Sequence, residues 1–282
     1  MLNLKDQAEG LRTLLGNRGN KSFIVLSALD PSDRNAILLN ISVAIINNGE
    51  SVQFIDANRN TDGEVLTSKS KQTNSSTKIS NYLSAVTPSL KGVSNGIGIT
   101  KIFSAADALN KSTKSVKEIL GLIEESTGKS TISFIDIDVN DEVTEYLDEV
   151  TGGQVIVLVN SQENSITKAY TLLKKLSAKI SDLKVNILVN GCNKKESQII
   201  QRNISLTASN YLSISTTPLG NIIHDEGLVQ ANKIGRSVFE TAPGSESVDH
   251  FKQIASNILK ESTVTRGLKV KPSDNHHSIE VR

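Results

Sequence analysis

The residues best placed to do chemistry lie in one turn, Ser27-Ala28-Leu29-Asp30-Pro31-Ser32-Asp33-Arg34-Asn35, between an apolar strand-like run and an apolar helix-like run. A turn of this kind binds phosphate, because backbone N–H groups and the helix N-terminus converge on it. Here Asp30 and Asp33 put side chains where a backbone must approach closely, and Pro31 withholds a donor. Each carboxylate would oppose a phosphate charge by about 1 to 4 kcal/mol at about 4 Å, depending on the dielectric. Arg34 supplies a cation, but as a planar fork rather than a point charge, and Asn35 lacks a hydroxyl for a divalent ion. Further along, Asp56, Asn58 and Asp136 follow or close other strand-like runs, and Asp30, Asp56 and Asp136 together are a candidate cation site.

These positions need a β-α-β frame, and the patterning provides one. Ser22 to Ser27 is a continuous β-prone run, Ala36 to Asn47 has the length and apolarity of a buried helix, and Val52 to Asp56 is the next strand. Thr61 to Thr77 is polar and reads as a loop, Ile79 to Leu83 as a short helix, and Ile97 to Phe103 as a strand. Ser115 to Glu125 follows as a helix. Thr131 to Asp136, Gln154 to Val159, Val185 to Val189 and Tyr211 to Ser215 read as strands. Helices over about 165–179, 195–208, 222–233 and 246–260 separate or follow them. Strands alternating with helices predict an α/β fold with a doubly wound, mostly parallel sheet. Residues 21–260 show no composition break and read as one domain, and 261–282 is polar and aperiodic, as in a disordered tail. Residues 1–20 hold a short helix whose stripe Leu4, Ala8, Leu11 and Leu15 must lie on a surface to be stable.

Composition excludes several classes of function. A net charge of +1 gives no bulk attraction to nucleic acid or acidic membrane, and the chain has no Trp and few aromatic platforms for bases. Its lone cysteine, Cys192, forbids an internal disulfide and reads as a small buried residue, so a reducing, cytoplasmic setting is expected. The adjacent His276 and His277 lack further ligands and read as solvated. No apolar run reaches the length of a membrane span.

The segment Asp6-Gln7-Ala8-Glu9-Gly10-Leu11-Arg12 resembles the D-Q-A-x-x-L-R signature that opens the FlhG (FleN, YlxH) branch of the MinD/ParA family, the flagellar-number regulators. The resemblance continues to about Lys260 and implies a MinD-like P-loop NTPase fold of the SIMIBI type behind an N-terminal helix. In that family the helix stimulates the GTPase FlhF, which assigns Asp6, Gln7, Ala8, Leu11 and Arg12 to partner contact, Gln7 nearest the nucleotide. The family's S-G-K-G-G-V-G-K-S/T stands where this chain has the turn from Ser27 to Asn35. Leu29 replaces the lysine that reaches across the dimer, and Arg34 sits at the P-loop lysine position. Asp56-Ala57-Asn58 matches D-A-D, and Phe134-Ile135-Asp136-Ile137-Asp138 stands at the I-D-T-G-A-G switch.

Other landmarks are structural. Asn81 to Ser84 resembles L-S-x-V-L, and Ile97 to Ala105 the strand before P-A-G-S-G. Ser165 to Tyr170 resembles S-I-T-D-A-Y, with Ser165 expected as a helix N-cap and Ile166, Ala169 and Leu173 as core. Asn190 matches the residue that contacts adenine in the family and reads here as a turn former. Pro218-Leu219-Gly220 with Asp225 echoes the loop that holds the base, with the proline displaced. Ala242 to Lys260 resembles the closing helix, with Phe251 and Ile254 as core.

The resemblance implies ATP and magnesium as cofactors, whereas the residues at Ser27, Leu29, Asp30, Asp33, Arg34, Asn35, Asp56, Asn58, Asp136 and Asn190 describe a degenerate nucleotide site. The expectation is therefore a pseudo-ATPase without cofactor, a monomer that regulates flagellar assembly by binding an FlhF-type GTPase or another flagellar regulatory protein. No direct nucleic-acid contact and no stable membrane anchor are expected. The alternatives are a divergent MinD-type ATPase that dimerises with ATP and a co-regulator of a flagellar transcription factor.

Overall fold

A computed structural model of the chain describes residues 21–56, 101–104, 131–137, 154–181, 183–261 and 269–270. The N-terminal helix with its partner-contact residues, Asn58, the loop over 61–77, the helices over 79–83 and 115–125, and His276 and His277 lie outside these residues. The chain opens with β1 (Lys21–Ser27), α1 (Pro31–Asn47), β2 (Ser51–Asp56), β3 (Lys101–Ser104) and β4 (Thr131–Asp136). It continues with β5 (Gln154–Asn160), α2 (Glu163–Lys179), β6 (Ile180–Ser181), β7 (Lys184–Asn190), α3 (Lys194–Leu212) and β8 (Ser215–Ile222). Then come α4 (Glu226–Lys233), α5 (Val238–Thr241), α6 (Glu246–Glu261) and β9 (Lys269–Val270).

The described strands form a seven-stranded sheet in the order β3-β2-β4-β1-β5-β7-β8, and every pairing in it is parallel. Because side chains alternate across a strand, β1 sends Ile24 and Leu26 into one core and Phe23 and Val25 into the other. The first core is closed by α2 and α3, through Ala169, Leu173 and Ile204. The second is closed by α1, α4, α5 and α6, through Ile41, Ala231, Val238 and Phe251. Phe134 stacks on Phe54 at 5.6 Å and tilts against Phe23 at 5.8 Å, joining β1, β4 and β2 on that face. α1 is rich in isoleucine, a weak helix former, and is held by burial: Ile37, Ile41, Ala44 and Ile45 are at most 2% exposed. Asn48 caps its C-terminus, and Gly49 at φ +84° turns the chain into β2.

Several expectations are corrected. The strand expected over Tyr211 to Ser215 begins inside α3, which runs to Leu212 and stops at Ser213 in the left-handed conformation. The strand itself, β8, starts at Ser215, where pairing with Lys184 of β7 begins. Pro218 is tolerated inside β8 because this is the sheet's edge among the described strands and the register shifts beside it. Consequently the helix expected from residue 222 begins at Glu226. Ser165 is not a cap: α2 starts at Glu163 behind Gln162, and the Ser165 hydroxyl instead accepts from the N–H of Asn160 at 3.0 Å. Within the stretch expected as a tail, Glu261 closes α6, and Lys269–Val270 pairs antiparallel with Ile180–Ser181.

Candidate functional site

The sheet places β1 between β4 and β5, so the strand order reverses at β1, and ligands of open α/β sheets bind at such a point, outside the carboxyl ends of the strands. Those ends carry Ser27, Asp136, Asn160 and Asn190. The turn after Ser27 folds in on itself. The Ala28 N–H donates to Leu158 O at 2.9 Å, and the Leu29 N–H donates to the Ser27 hydroxyl at 3.0 Å. Leu29 is buried in the same core as Phe23 and Ile37. Asp30 follows, exposed, at the N-cap position of α1, where its side chain accepts no hydrogen bond, and Pro31 is the first helical residue.

Beyond the turn, Arg34 is buried and reaches Asp136 at the end of β4, with Nη1 3.1 Å from Oδ2 and side chains 10% and 5% exposed. Its Nε donates weakly to Asn35 Oδ1 at 3.4 Å, and Nη2 is buried without a hydrogen-bond partner among the described residues. The register sets Asp136 beside Val25 on one side and Asp56 on the other. Asp136, one of the three aspartates considered as a cation site, is engaged by Arg34. Among the described residues no group of three His, Cys, Asp or Glu could hold a metal ion.

Next to the turn lies a cleft of about 280 Å³ between α1, α4 and the ends of β5 and β7, lined by Asp33, Ile37, Asn160, Asn190, His224 and Asp225 among others. Burial, and then the charge of Asp30, push the Asp33 carboxyl above the usual carboxylate range. Asp225 is the reverse case. Burial would raise it, but hydrogen bonds from the Ser245 hydroxyl and the N–H groups of Leu228, Ser247 and Gly227 hold it below the usual range. The Asp225 carboxylate caps α4 through Leu228 N at 3.0 Å and accepts from Ser245 Oγ at 2.6 Å. Gly227 allows this junction, since a Cβ there would stand 3.0 Å from the Ala242 Cβ. Asn190 ends β7 and faces the cleft; the turn expected of it is made by Gly191, at φ +75°. Cys192 is buried, and burial, with the charge of Glu196, pushes its thiol up to about 11, partly offset by a hydrogen bond with Ser197.

Of the residues singled out in the sequence, Ser27 and Leu29 pair within the turn, Arg34 joins Asn35 and Asp136, and Asp33 and Asn190 line the cleft. Asp30 stands between them in sequence and faces solvent. Asn160 and Gln162 were missed. The signal was present: Leu-Val-Asn occurs at 158–160 and again at 188–190, both at the ends of paired parallel strands. No helix among the described residues is long and apolar enough to cross a membrane.

No protein-family model and no curated sequence matches the chain. Solved structures do. A ParA family ATPase from Chlorobium tepidum TLS matches with TM-score 0.58 at 18% identity, over 85% of this chain and 98% of that one. MinD in the MinC:MinD cell division complex of Aquifex aeolicus matches at 0.56 and 16%, over 87% and 98%. MinD from Pyrococcus horikoshii OT3, complexed with Mg-ADP, matches at 0.56 and 15%, over 87% and 99%. The parallel sheet, its switch at β1 and the helices on both faces are therefore those of the ParA and MinD ATPases, and this chain is built on the MinD/ParA P-loop NTPase fold.

Proposed function

We propose that this chain is a pseudo-ATPase of the FlhG type, which uses the MinD/ParA fold to bind proteins and regulate flagellar assembly. The observation that carries the reading is the buried Arg34–Asp136 pair. In a working phosphate loop a cation at the position of Arg34 meets phosphate, and a carboxylate at the position of Asp136 serves the metal. Here each neutralises the other.

Mg-ATP does not fit the residues present. Leu29 is buried in the core and brings no charge, Asp30 and Asp33 repel phosphates, and Pro31 removes a donor. Phosphoryl transfer needs cradle, metal and charge clamp together, so no hydrolytic step is derived through this site. Action by contact agrees with the structural neighbour MinD, which is found in complex with MinC. The DQAEGLR segment is the part that would engage an FlhF-type GTPase, with Gln7 closest to the partner's nucleotide.

Calorimetric titration of the full chain with Mg-ATP tests the premise. No saturable heat is expected, and micromolar binding would overturn the reading. The partner is tested by GTP turnover of an FlhF-type GTPase with the full chain and with its Gln7→Ala variant. Stimulation that falls in the variant, more than affinity does, is expected; equal stimulation removes the helix from the function.

A further inference from the structure

The cleft beside the turn is a second feature of this face, and its chemistry differs from that of a phosphate site. Among the described residues no lysine or arginine lines it. Its polar side chains among the described residues are the carboxylates of Asp33 and Asp225, the ring of His224, the hydroxyl of Ser161, and the amides of Asn160, Gln162, Asn190 and Asn232. Asp225 is committed, since Leu228, Ser245 and Ser247 donate to its two oxygens. Asp33 is half-buried and its carboxylate makes no hydrogen bond among the described residues. The cleft thus offers one carboxylate with two acceptor oxygens, ringed by neutral amides that accept as well as donate.

Size and charge together choose the occupant. At about 280 Å³ the cleft lies just under the range of roughly 300–1,000 Å³ for whole small-molecule ligands. It suits one side chain better than a nucleotide. A guanidinium fits the acceptors best, because its flat fork pairs two-to-two with a carboxylate and turns its other N–H groups toward amide oxygens. An anion would meet Asp33 and Asp225 with no lining cation among the described residues to screen them. Outside the cleft, Asp30 and Glu226 are exposed at the starts of α1 and α4, so the same sign of charge extends over the approach.

We infer that this cleft receives an arginine side chain from an exposed segment of a partner protein, with Asp33 as its carboxylate acceptor. The inference rests on the reading that the chain acts by protein contact, and it gives that contact a place and a chemistry on the α/β body, separate from the N-terminal helix.

The experiment is an amide-resolved NMR titration of the full chain at low salt with the blocked peptide acetyl-Ser-Gly-Arg-Gly-Ser-amide. Saturable shifts at the Asn160, Asn190 and Gly191 amides are expected. They should weaken by about tenfold or more when arginine is replaced by the neutral isostere citrulline, and likewise in Asp33→Asn, as the loss of a hydrogen bond to a charged group requires. The citrulline arm needs no variant to fold. Equal binding of the citrulline peptide, indifference to Asp33→Asn, or no saturable shift at millimolar peptide would overturn the inference. Agmatine binding as tightly as the peptide would overturn the protein-partner assignment. Mg-ATP run in parallel separates the two claims: micromolar ATP binding at these amides sinks the pseudo-ATPase reading itself, whereas silence toward both ligands sinks only the arginine site.

Discussion

At the start of α4, Asp225 accepts from the Leu228 N–H, the Ser245 hydroxyl and the Ser247 N–H, and its carboxyl is held below the usual range. At the start of α1, across the same cleft, Asp30 occupies the same N-cap position but its side chain makes no cap hydrogen bond, while Asp33 behind it is pushed up by burial and by Asp30. An aspartate at a helix start is thus no fixed quantity. Where the chain brings hydroxyl and amide donors to the carboxylate, here from Ser245 just before α6 and Ser247 in its first turn, the group ties α4 to the start of α6. Where it brings a proline and a second carboxylate, the group is left as exposed or half-buried negative charge. One wall of the cleft is tied down by its acid, and the other is held by the Arg34–Asp136 pair and offers its acid to a ligand.

The largest expected effect tests what holds the α1 wall. Arg34→Ala removes the cation 3.1 Å from buried Asp136 and should cost about 3 to 5 kcal/mol in denaturant unfolding. Arg34→Met combined with Asp136→Leu should regain most of that loss, since an apolar pair avoids the desolvation. A cost under about 1 kcal/mol for Arg34→Ala, the level of an exposed ion pair, would mean that the pair does not anchor this wall.

A smaller effect breaks the comparison directly. Asp225→Ala removes a working cap and should cost about 1 to 2 kcal/mol, whereas Asp30→Ala removes none and should stay within about 0.5 kcal/mol of the parent. Equal costs in urea unfolding would erase the distinction between the two starts.

The smallest effects are in pH dependence, and their signs are opposite. Asp225, with its carboxyl lowered, contributes stability present above its ordinary value of 3.8 and lost as pH falls through the folded value. Asp225→Asn should therefore be less stable than the parent at neutral pH, with the gap closing in acid. Asp33, with its carboxyl raised, contributes stability present below 3.8 and lost as pH rises through the folded value. Asp33→Asn should therefore match or exceed the parent's stability at neutral pH, with the gain vanishing in acid. Melting temperatures measured from pH 3 to about pH 7 distinguish the two; curves that move together would contradict the assignment.

Much of the frame could be read from the residues. The runs Phe23 to Leu26 and Val155 to Val159 are strands because they are apolar on both faces, as a strand covered by helices on each side must be. Phe251 and Ile254, expected as core from the resemblance of Ala242 to Lys260 to the family's closing helix, are buried. The end of α3 was not. Tyr211 favours strand by type, yet β8 begins only where Lys184 of β7 pairs with Ser215, and the helix runs on through Leu212 to Ser213. Ser165 likewise had the right chemistry for a cap, but β5 ended within its reach and claimed its hydroxyl.

By itself the sequence determined that strands and helices would alternate into a two-faced parallel sheet, and that the first turn would carry carboxylates and a proline. Both depend on residue type and local spacing, which a linear chain displays in full. Only the tertiary structure decided that Arg34 would be matched to Asp136, that Asp225 would be satisfied and Asp33 left available, and that Asn160 would join Asn190 at one cleft. Those outcomes turn on which groups meet across 20 to 102 positions of chain, and such meetings are set by sheet register and helix packing. Residue type alone does not set them.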